Sequence, residues 1–218
     1  MKERAVTLGG HPALVVMPKD AAALYVFAHG AGAGMRHAFM QQMAAALDAL
    51  DVATVRWEFP YMAAGKGAPD KPAVAEAAVR DVWRAAHDRF GALPMFAGGK
   101  SFGGRMTSRA HAAAALPELR GLVFVGFPLY GAGKPPSTER ADHLATATGP
   151  ILFVQGDRDE LADLKTLRPV VKKLGARATL HVAAGADHGF DVLVRSGRTG
   201  EDVRAEIAGV IAGWMRDR

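Results

Sequence analysis

The sequence predicts an α/β domain with a mostly parallel central sheet and helices on both faces. Two observations carry this prediction. Apolar, strand-like segments alternate with helical segments from residue 24 onward, and one of these strands runs directly into a helix through a glycine-rich turn. Half of the 218 residues are hydrophobic, which suffices for one sizeable core. We therefore expect a single domain over residues 1–218, with its ligand site at the carboxyl ends of the strands.

Short apolar runs bounded by turn residues predict eight strands, at residues 4–8, 13–16, 24–28, 52–56, 94–98, 121–126, 151–155 and 178–182. Gly9-Gly10-His11-Pro12 separates the first two strands and predicts a hairpin. Apolar residues at helical spacing predict helices at residues 35–50, 73–90, 101–115, 161–174 and 200–218. Residues 129–148 contain Pro135-Pro136 and are expected to be irregular, forming either a small cap over the site or an ordinary crossover.

The turn at residues 98–104 reads Gly-Gly-Lys-Ser-Phe-Gly-Gly and contains G-x-S-x-G between a strand and a helix. This pattern is typical of a nucleophile elbow, in which a serine occupies a sharp and strained turn. The residues two before and two after the serine nearly touch, a demand that Gly99 and Gly103 meet. We predict that Ser101 is a nucleophile and that the first helical N–H groups face a developing oxyanion.

Nucleotide binding is a poor interpretation of these glycines. A P-loop needs a glycine where Pro94 stands, and a dinucleotide fingerprint beginning at Gly30 needs one where Met35 stands. The histidines do not have the spacing of common metal sites. We therefore expect no cofactor and no metal.

A serine hydroxyl needs a base, and the base needs an orienting acid. The expected chain order is serine, acid, histidine, with each partner following a later strand. Asp159, past the glycine turn after residues 151–155, is the predicted acid. Asp157 is expected to brace the turn, and a shared acid role for it stays open. His188 is the predicted base because no other histidine follows the last strand.

An oxyanion hole needs two N–H donors. Phe102, directly after the nucleophile, is the first predicted donor. Ala31, in the small-residue loop after residues 24–28, is the second, with Gly30 or Gly32 as alternatives. His29 is expected to organise this loop by hydrogen bonding.

An aromatic segment follows the strand at residues 52–56. We predict that Trp57, Phe59 and Tyr61 line the substrate pocket; the alternative is a packed corner beneath the oxyanion loop. Arg105, on the helix after the nucleophile, is expected to form an ion pair. The alternative, for Arg105 and for Lys100 on the other side of Ser101, is the steering of an anionic substrate.

Composition limits the possible partners and compartment. The net charge is +5, but the basic residues are spread along the chain, so we expect no nucleic-acid partner. No segment approaches the ~20 apolar residues that span a bilayer, and the N-terminus lacks the apolar core of a signal peptide. The expectation is a cytoplasmic protein without a membrane partner. The absence of cysteine excludes a thiol nucleophile. The oligomeric state stays open.

With these residues in place, the chain resembles the small, dienelactone-hydrolase-like branch of the α/β-hydrolases over nearly its whole length. The segments that carry the resemblance are residues 29–32, 56–62, 99–106, 127–129, 143–144, 155–159 and 187–190. The resemblance implies an α/β-hydrolase fold with a minimal cap or none, and it places the acid at Asp159, three residues after Gly156. Dienelactone hydrolases proper use a cysteine where this chain has Ser101, which favours a general serine esterase.

The subgroup is also similar to a eukaryotic set that includes a scaffolding subunit of a histone acetyltransferase complex. A non-catalytic binding protein is therefore the alternative function. The intact elbow, acid and base favour an enzyme. The sequence thus predicts a serine hydrolase that cleaves a small-molecule ester or thioester through an acyl-enzyme.

Overall fold

A computed structural model describes residues 2–218. Its eight strands form one sheet in the order β1-β2-β4-β3-β5-β6-β7-β8. The strands are β1 (Glu3–Leu8), β2 (His11–Val16), β3 (Ala23–Ala28), β4 (Val52–Trp57), β5 (Met95–Lys100), β6 (Gly121–Val125), β7 (Ile151–Gly156) and β8 (Ala178–Ala183). The α-helices are α1 (Ala38–Asp48), α2 (Pro60–Ala63), α3 (Pro72–Phe90), α4 (Phe102–Ala113), α5 (Leu164–Leu174) and α6 (Gly200–Arg216).

The sheet is parallel except at one edge. β1 and β2 form the predicted antiparallel hairpin, with Leu8 opposite His11, and β2 pairs antiparallel with β4. All other neighbouring strands are parallel. The carboxyl ends of β3, β5, β6, β7 and β8 therefore meet along one edge, where ligands bind in sheets of this kind.

The hydrophobic core lies on both faces of the sheet. In β3, Leu24 and Val26 belong to one buried cluster and Tyr25 and Phe27 to the other, as the two-residue period of a strand requires. Buried side chains of α3 and α4 complete the first cluster, and those of α1 and α6 complete the second. The prediction of a mostly parallel sheet covered by helices on both faces is thus confirmed.

The element boundaries differ from the sequence prediction where side chains cap helices. α1 begins at Ala38 because the His37 ring accepts a hydrogen bond from the N–H of Phe39. α5 begins at Leu164 because the Asp163 carboxylate accepts from the N–H of Thr166. The short helix α2 was not predicted, since its four residues are too few to show a periodic pattern.

The irregular segment at residues 129–148 contains a 3-10 helix at Glu139–Ala145, which packs against α4 and α5. Two further 3-10 helices occur at Gly175–Arg177 and Val194–Ser196. Among residues 2–218, no helix is both long and apolar enough to cross a membrane.

Candidate active site

Ser101 alone forms the turn between β5 and α4. Its backbone angles are φ 49° and ψ −113°, a strained conformation for a residue with a side chain. Its N–H donates to the carbonyl of Val125 on β6 at 3.0 Å, which holds the turn against the sheet. The sequence prediction of a strand, a sharp turn and a helix matches this geometry.

The glycines of the elbow are required by the end of β3. A Cβ atom on Gly99 would lie 2.3 Å from the carbonyl oxygen of Ala28, and one on Gly103 would lie 2.5 Å from the same oxygen. A Cβ atom on Gly99 would also lie 2.9 Å from the carbonyl carbon of Gly103, so these two residues do pack directly against each other. The backbone at the end of β3 therefore lies so close to the elbow that a side chain at position 99 or 103 would overlap with it.

The structure brings Ser101, His188 and Asp159 into one hydrogen-bonded chain. His188 Nε2 lies 2.9 Å from Ser101 Oγ, and His188 Nδ1 lies 2.7 Å from Asp159 Oδ2. A carboxylate can only accept at Nδ1, so that nitrogen carries the proton and Nε2 is free to accept from the serine hydroxyl. The Asp159 side chain is fully buried, whereas the His188 side chain is 25% exposed.

Two further donors orient the Asp159 carboxylate. The N–H of Leu161 donates to Oδ1 at 2.8 Å, and the side-chain amide of Gln155 donates to Oδ2. Gln155 is itself fixed, because its amide oxygen accepts from the N–H of Phe127 at 2.9 Å. Sequence reasoning missed this role for Gln155. The available signal was a polar residue near the end of the otherwise apolar, fully buried strand β7.

Asp157 lies apart from this chain. It is exposed, and its carboxylate accepts from the N–H of Gly185 at 2.8 Å, which ties the loop after β7 to the loop after β8. This is the bracing role expected for Asp157. The structure therefore separates the two acids, and the one that faces the His188 ring is Asp159.

The loop that carries His188 is held on both sides of the histidine. The Asp187 carboxylate accepts from the N–H groups of Gly189 and Asp191, at 2.8 and 3.0 Å. Phe190 has a φ of 66°, is buried and stacks on Phe39 of α1 with ring centroids 5.7 Å apart. A turn built by a carboxylate and anchored by a buried ring thus positions the candidate base.

Lys100 is a further contact to this loop that the sequence did not reveal. Its Nζ donates to the main-chain oxygen of His188 at 2.6 Å and lies 5.9 and 5.5 Å from the ring centroids of Phe39 and Phe190. Burial lowers the pKa of Lys100 to about 8, an effect that the nearby carboxylates of Asp159 and Asp187 oppose. Lys100, the residue before Ser101, is therefore a partly buried cation that joins β5 to the His188 loop.

His29 organises the loop after β3, as expected. It is fully buried; its Nε2 accepts from the N–H of Phe59 at 3.1 Å, so Nδ1 carries the proton and donates to the Gly30 carbonyl at 2.8 Å. Glu58 holds the far end of the loop by accepting from the N–H of Met35 at 2.9 Å. These contacts fix the backbone that faces Ser101.

The same loop offers few donors for an oxyanion. The N–H of Gly32 already donates to the Tyr61 hydroxyl at 3.3 Å, which leaves Ala31 and Gly30 from the predicted set. Two cavities adjoin Ser101, and Ala31 borders both of them. Phe102 begins α4, so its N–H has no acceptor within the helix and is available at the helix N-terminus.

The structure corrects the prediction that Trp57, Phe59 and Tyr61 line the substrate pocket. All three side chains are at most 1% exposed, and none borders either cavity beside Ser101. The Phe59 ring lies 5.0 Å from His29 and 5.1 Å from Phe102, measured between centroids. Residues 57–61 are therefore the packed corner beneath the loop after β3. They pack in the core against His29 of that loop and Phe102 of α4.

Two cavities meet at Ser101. The histidine-side cavity, about 290 Å³, is mainly apolar and is lined by His188, Lys100, Phe39 and Met40 among others. The arginine-side cavity, about 360 Å³, is bordered by Phe102, Arg105, Pro128 and Arg140 among others. Ser101, Ala31 and Leu161 border both. A larger cavity of about 410 Å³ lies at the amino end of β5 and does not include Ser101.

Comparison with known families identifies the class. The family model described as "Alpha/beta hydrolase domain" matches residues 21–216, which is most of the chain. The chain therefore belongs to the α/β-hydrolase family, and the predicted resemblance to this superfamily is confirmed.

Solved structures with the same fold include three informative neighbours. A Xanthomonas campestris protein described as an α/β serine hydrolase without a lid is 23% identical, with a TM-score of 0.74 over 98% of this chain and 95% of its own. The esterase domain of a Rhodothermus marinus protein is 17% identical, with a TM-score of 0.75 over 100% and 99%. A dienelactone hydrolase from Anabaena variabilis is 17% identical, with a TM-score of 0.77 over 98% and 96%. At these identities the likeness establishes the fold, and the open sheet agrees with the expectation of a minimal cap or none.

Proposed function

We propose that this protein is a serine hydrolase that cleaves carboxylic esters or thioesters of small molecules through an acyl-enzyme. The observation that carries the proposal is the chain from Ser101 Oγ through His188 to buried Asp159, with links of 2.9 and 2.7 Å. This chain stands at the carboxyl edge of the sheet, beside two cavities. Structural neighbours described as an esterase domain and as a serine hydrolase add support.

In the acylation step, His188 Nε2 accepts the hydroxyl proton while Ser101 Oγ bonds to the acyl carbon. The N–H groups of Phe102 and Ala31 stabilise the negative charge that develops on the acyl oxygen. The Asp159 carboxylate stabilises the imidazolium. The bond to the leaving group then breaks, and His188 returns the proton to the departing alcohol oxygen or thiol sulfur.

In the second step, a water molecule replaces the leaving group. His188 Nε2 accepts one proton of the water as its oxygen attacks the acyl carbon, and the same proton returns to Ser101 Oγ as the serine departs. The products are a carboxylic acid and the restored enzyme. All proton transfers in the cycle pass through one nitrogen, which the 2.9 Å contact places beside Ser101 Oγ.

Ester hydrolysis by the Ser101→Ala variant tests the proposal. With p-nitrophenyl butyrate and a short acyl thioester as substrates, we expect kcat/KM to fall by ~10³-fold or more, because the nucleophile is lost. Steady-state kinetics on the folded variant provide the measurement. Activity within about tenfold of the parent would remove Ser101 from the mechanism.

The two aspartates supply a matched control. Asp159→Asn should lower kcat strongly, by ~10²-fold or more, because an amide no longer stabilises the imidazolium or fixes its tautomer. Asp157→Asn changes an exposed residue that does not contact His188, keeps an acceptor oxygen for the N–H of Gly185, and should leave kcat within about threefold. The reverse order of effects would assign the acid role to Asp157.

A further inference from the structure

Two arginine side chains face the arginine-side cavity without an anionic partner. Arg105 lies in the second turn of α4, four residues after Ser101, and Arg140 lies in the 3-10 helix at Glu139–Ala145. Both are partly buried. Within residues 2–218, neither guanidinium forms a hydrogen bond or an ion pair. The expectation that Arg105 is an ion-pair residue is therefore wrong.

The arginine that does form an ion pair is one turn further along α4. Arg109 Nε lies 2.6 Å from the carboxylate of Glu76 on α3. Asp70 is the acidic residue among those that border the cavity, and its carboxylate already accepts from the N–H of Tyr61 at 2.9 Å. The cavity wall therefore carries two guanidinium groups against one carboxylate, an excess of positive charge.

Neighbouring cations add to the effect of burial on the pKa values of two groups here, Arg105 and His143. Burial lowers the pKa of Arg105 to about 10, and the neighbouring cations Arg140 and Arg109 lower it further, while Glu76 opposes them. Burial also lowers the pKa of His143 to about 4, with contributions from Arg109 and Arg105 in the same direction and from Asp142 in the other. A bound anion would relieve the repulsion between these groups.

We infer that Arg105 and Arg140 form a subsite for an anionic group of the substrate, a carboxylate or a phosphate-type group. Guanidinium groups bind such oxyanions through paired, charge-assisted hydrogen bonds. The inference rests on the proposed function and narrows its substrate class to esters or thioesters that carry a negative charge. The subsite lies beside the nucleophile, because Ser101 and Phe102 border the same cavity.

The position of His188 indicates which half of the substrate carries the charge. His188 borders the histidine-side cavity and must protonate the leaving group, so the alcohol or thiol half belongs there. The acyl half then extends from Ser101 into the arginine-side cavity. The substrate class is therefore an acyl group with an anionic terminus, such as the monoester of a dicarboxylic acid, bonded to an uncharged leaving group.

Three ethyl esters with the same leaving group and chain length test the inference: monoethyl adipate, ethyl hexanoate, and the analogue in which a phosphonate replaces the terminal carboxylate. The parent protein should hydrolyse an anionic ester with a kcat/KM at least ~10-fold above that of ethyl hexanoate. The preferred anion assigns the group as a carboxylate or as a phosphate-type group. Added salt should reduce the preference.

The Arg140→Gln variant should reduce the ratio of kcat/KM for the anionic and neutral esters by ~10-fold, because one of the two guanidinium groups is lost. Each ratio is measured within one variant, so a general loss of activity cancels. Arg140→Lys, which keeps the charge but not the planar fork, should give an intermediate ratio. Arg84→Gln removes an exposed arginine that borders neither cavity and should leave the ratio unchanged.

Binding of adipate to Ser101→Ala, measured by calorimetry, keeps the two proposals separable. Weaker binding after Arg140→Gln is added would support the subsite even without any ester turnover, in which case the proposed hydrolase activity alone fails. Ester turnover with a ratio that Arg140→Gln does not change, or a preference for ethyl hexanoate, would overturn the subsite and leave the hydrolase proposal standing. Neither turnover nor adipate binding would overturn both.

Discussion

At the residue scale, Lys100 is the side chain with the least expected environment. It lies next to Ser101 and donates to the main chain of His188, and its partial burial disfavours the charged form. Its hydrogen bond joins residues 88 positions apart in the chain. The proposed base therefore depends for its position on the residue that precedes the proposed nucleophile.

The depressed pKa of Lys100 predicts a pH-dependent contribution to stability. The pKa is about 8 in the folded protein against an ordinary value of 10.5, so between these values the unfolded chain binds more protons. The free energy of unfolding of the parent, relative to that of Lys100→Met, should therefore rise as pH increases from about 8 to about 10. Below that window the difference should be constant, because both states hold the proton.

Urea unfolding of both proteins across this pH range measures the effect, and subtracting one curve from the other removes groups that the two proteins share. Lys172→Met, which replaces an exposed lysine of α5, serves as the control and should give a flat difference. A flat difference for Lys100→Met as well would contradict the burial of its charge.

Residues whose role follows from local pattern can be predicted, and those whose role depends on distant contacts cannot. The turn motif, the chain order and the position of Asp159 in its loop lead to Ser101, Asp159 and His188 as candidates, and the structure brings these three side chains together. Gln155 is fixed by Phe127, and Lys100 contacts His188; only the folded sheet brings these pairs together. The pocket prediction for the aromatic segment at residues 57–61 is wrong because a sequence does not show whether a ring faces a cavity or the core beneath it.

At the element scale, the elbow couples β3, β5 and α4 through backbone contact. Gly103 in α4 packs against the carbonyl groups of Ala28 and His29, which lead into the oxyanion loop. The atoms in contact are main-chain atoms, so no side chain can rotate away to make room. The same contact that shapes the turn also sets the distance between Ser101 and the loop that carries Ala31.

Gly103→Ala should therefore destabilise the protein by about 3 kcal/mol or more, because the new Cβ would lie 2.5 Å from the Ala28 oxygen and 2.6 Å from the His29 oxygen. Gly209→Ala is the matched control: it lies within α6, has open space at its Cβ position and should stabilise by ~0.5–1 kcal/mol. Thermal and urea unfolding of both variants provide the comparison. Equal stabilities for the Gly103→Ala variant and the parent would show that the backbone at the elbow can shift to accommodate a methyl group, which contradicts this account.

At the scale of the whole molecule, the fold is predictable because alternating strands and helices can pack in few ways. The parallel strands and both helical layers follow from that alternation, and the hairpin follows from the turn residues at positions 9–12. The helix starts differ from the prediction because His37 and Asp163 form caps through their side chains. The arginine-side cavity could not be predicted, since its shape depends on how residues 129–148 pack beside α4.

Ser101 lies between a mainly apolar cavity and one that two arginines border. His188 and Lys100 border the first, while Arg105 and Arg140 border the second. The proposed hydrolase activity requires an activated Ser101 at this junction. The substrate class inferred from the two arginines requires the same activated serine.

Intact mass after incubation with a fluorophosphonate, which reacts covalently with activated serines, measures that activation most directly. We predict one adduct on the parent protein, none on Ser101→Ala, and slower labelling of His188→Ala because the base is lost. An unmodified, folded parent protein would contradict an activated Ser101 and favour a non-catalytic binding role. An adduct that persists on Ser101→Ala would place the reactive group elsewhere in the chain.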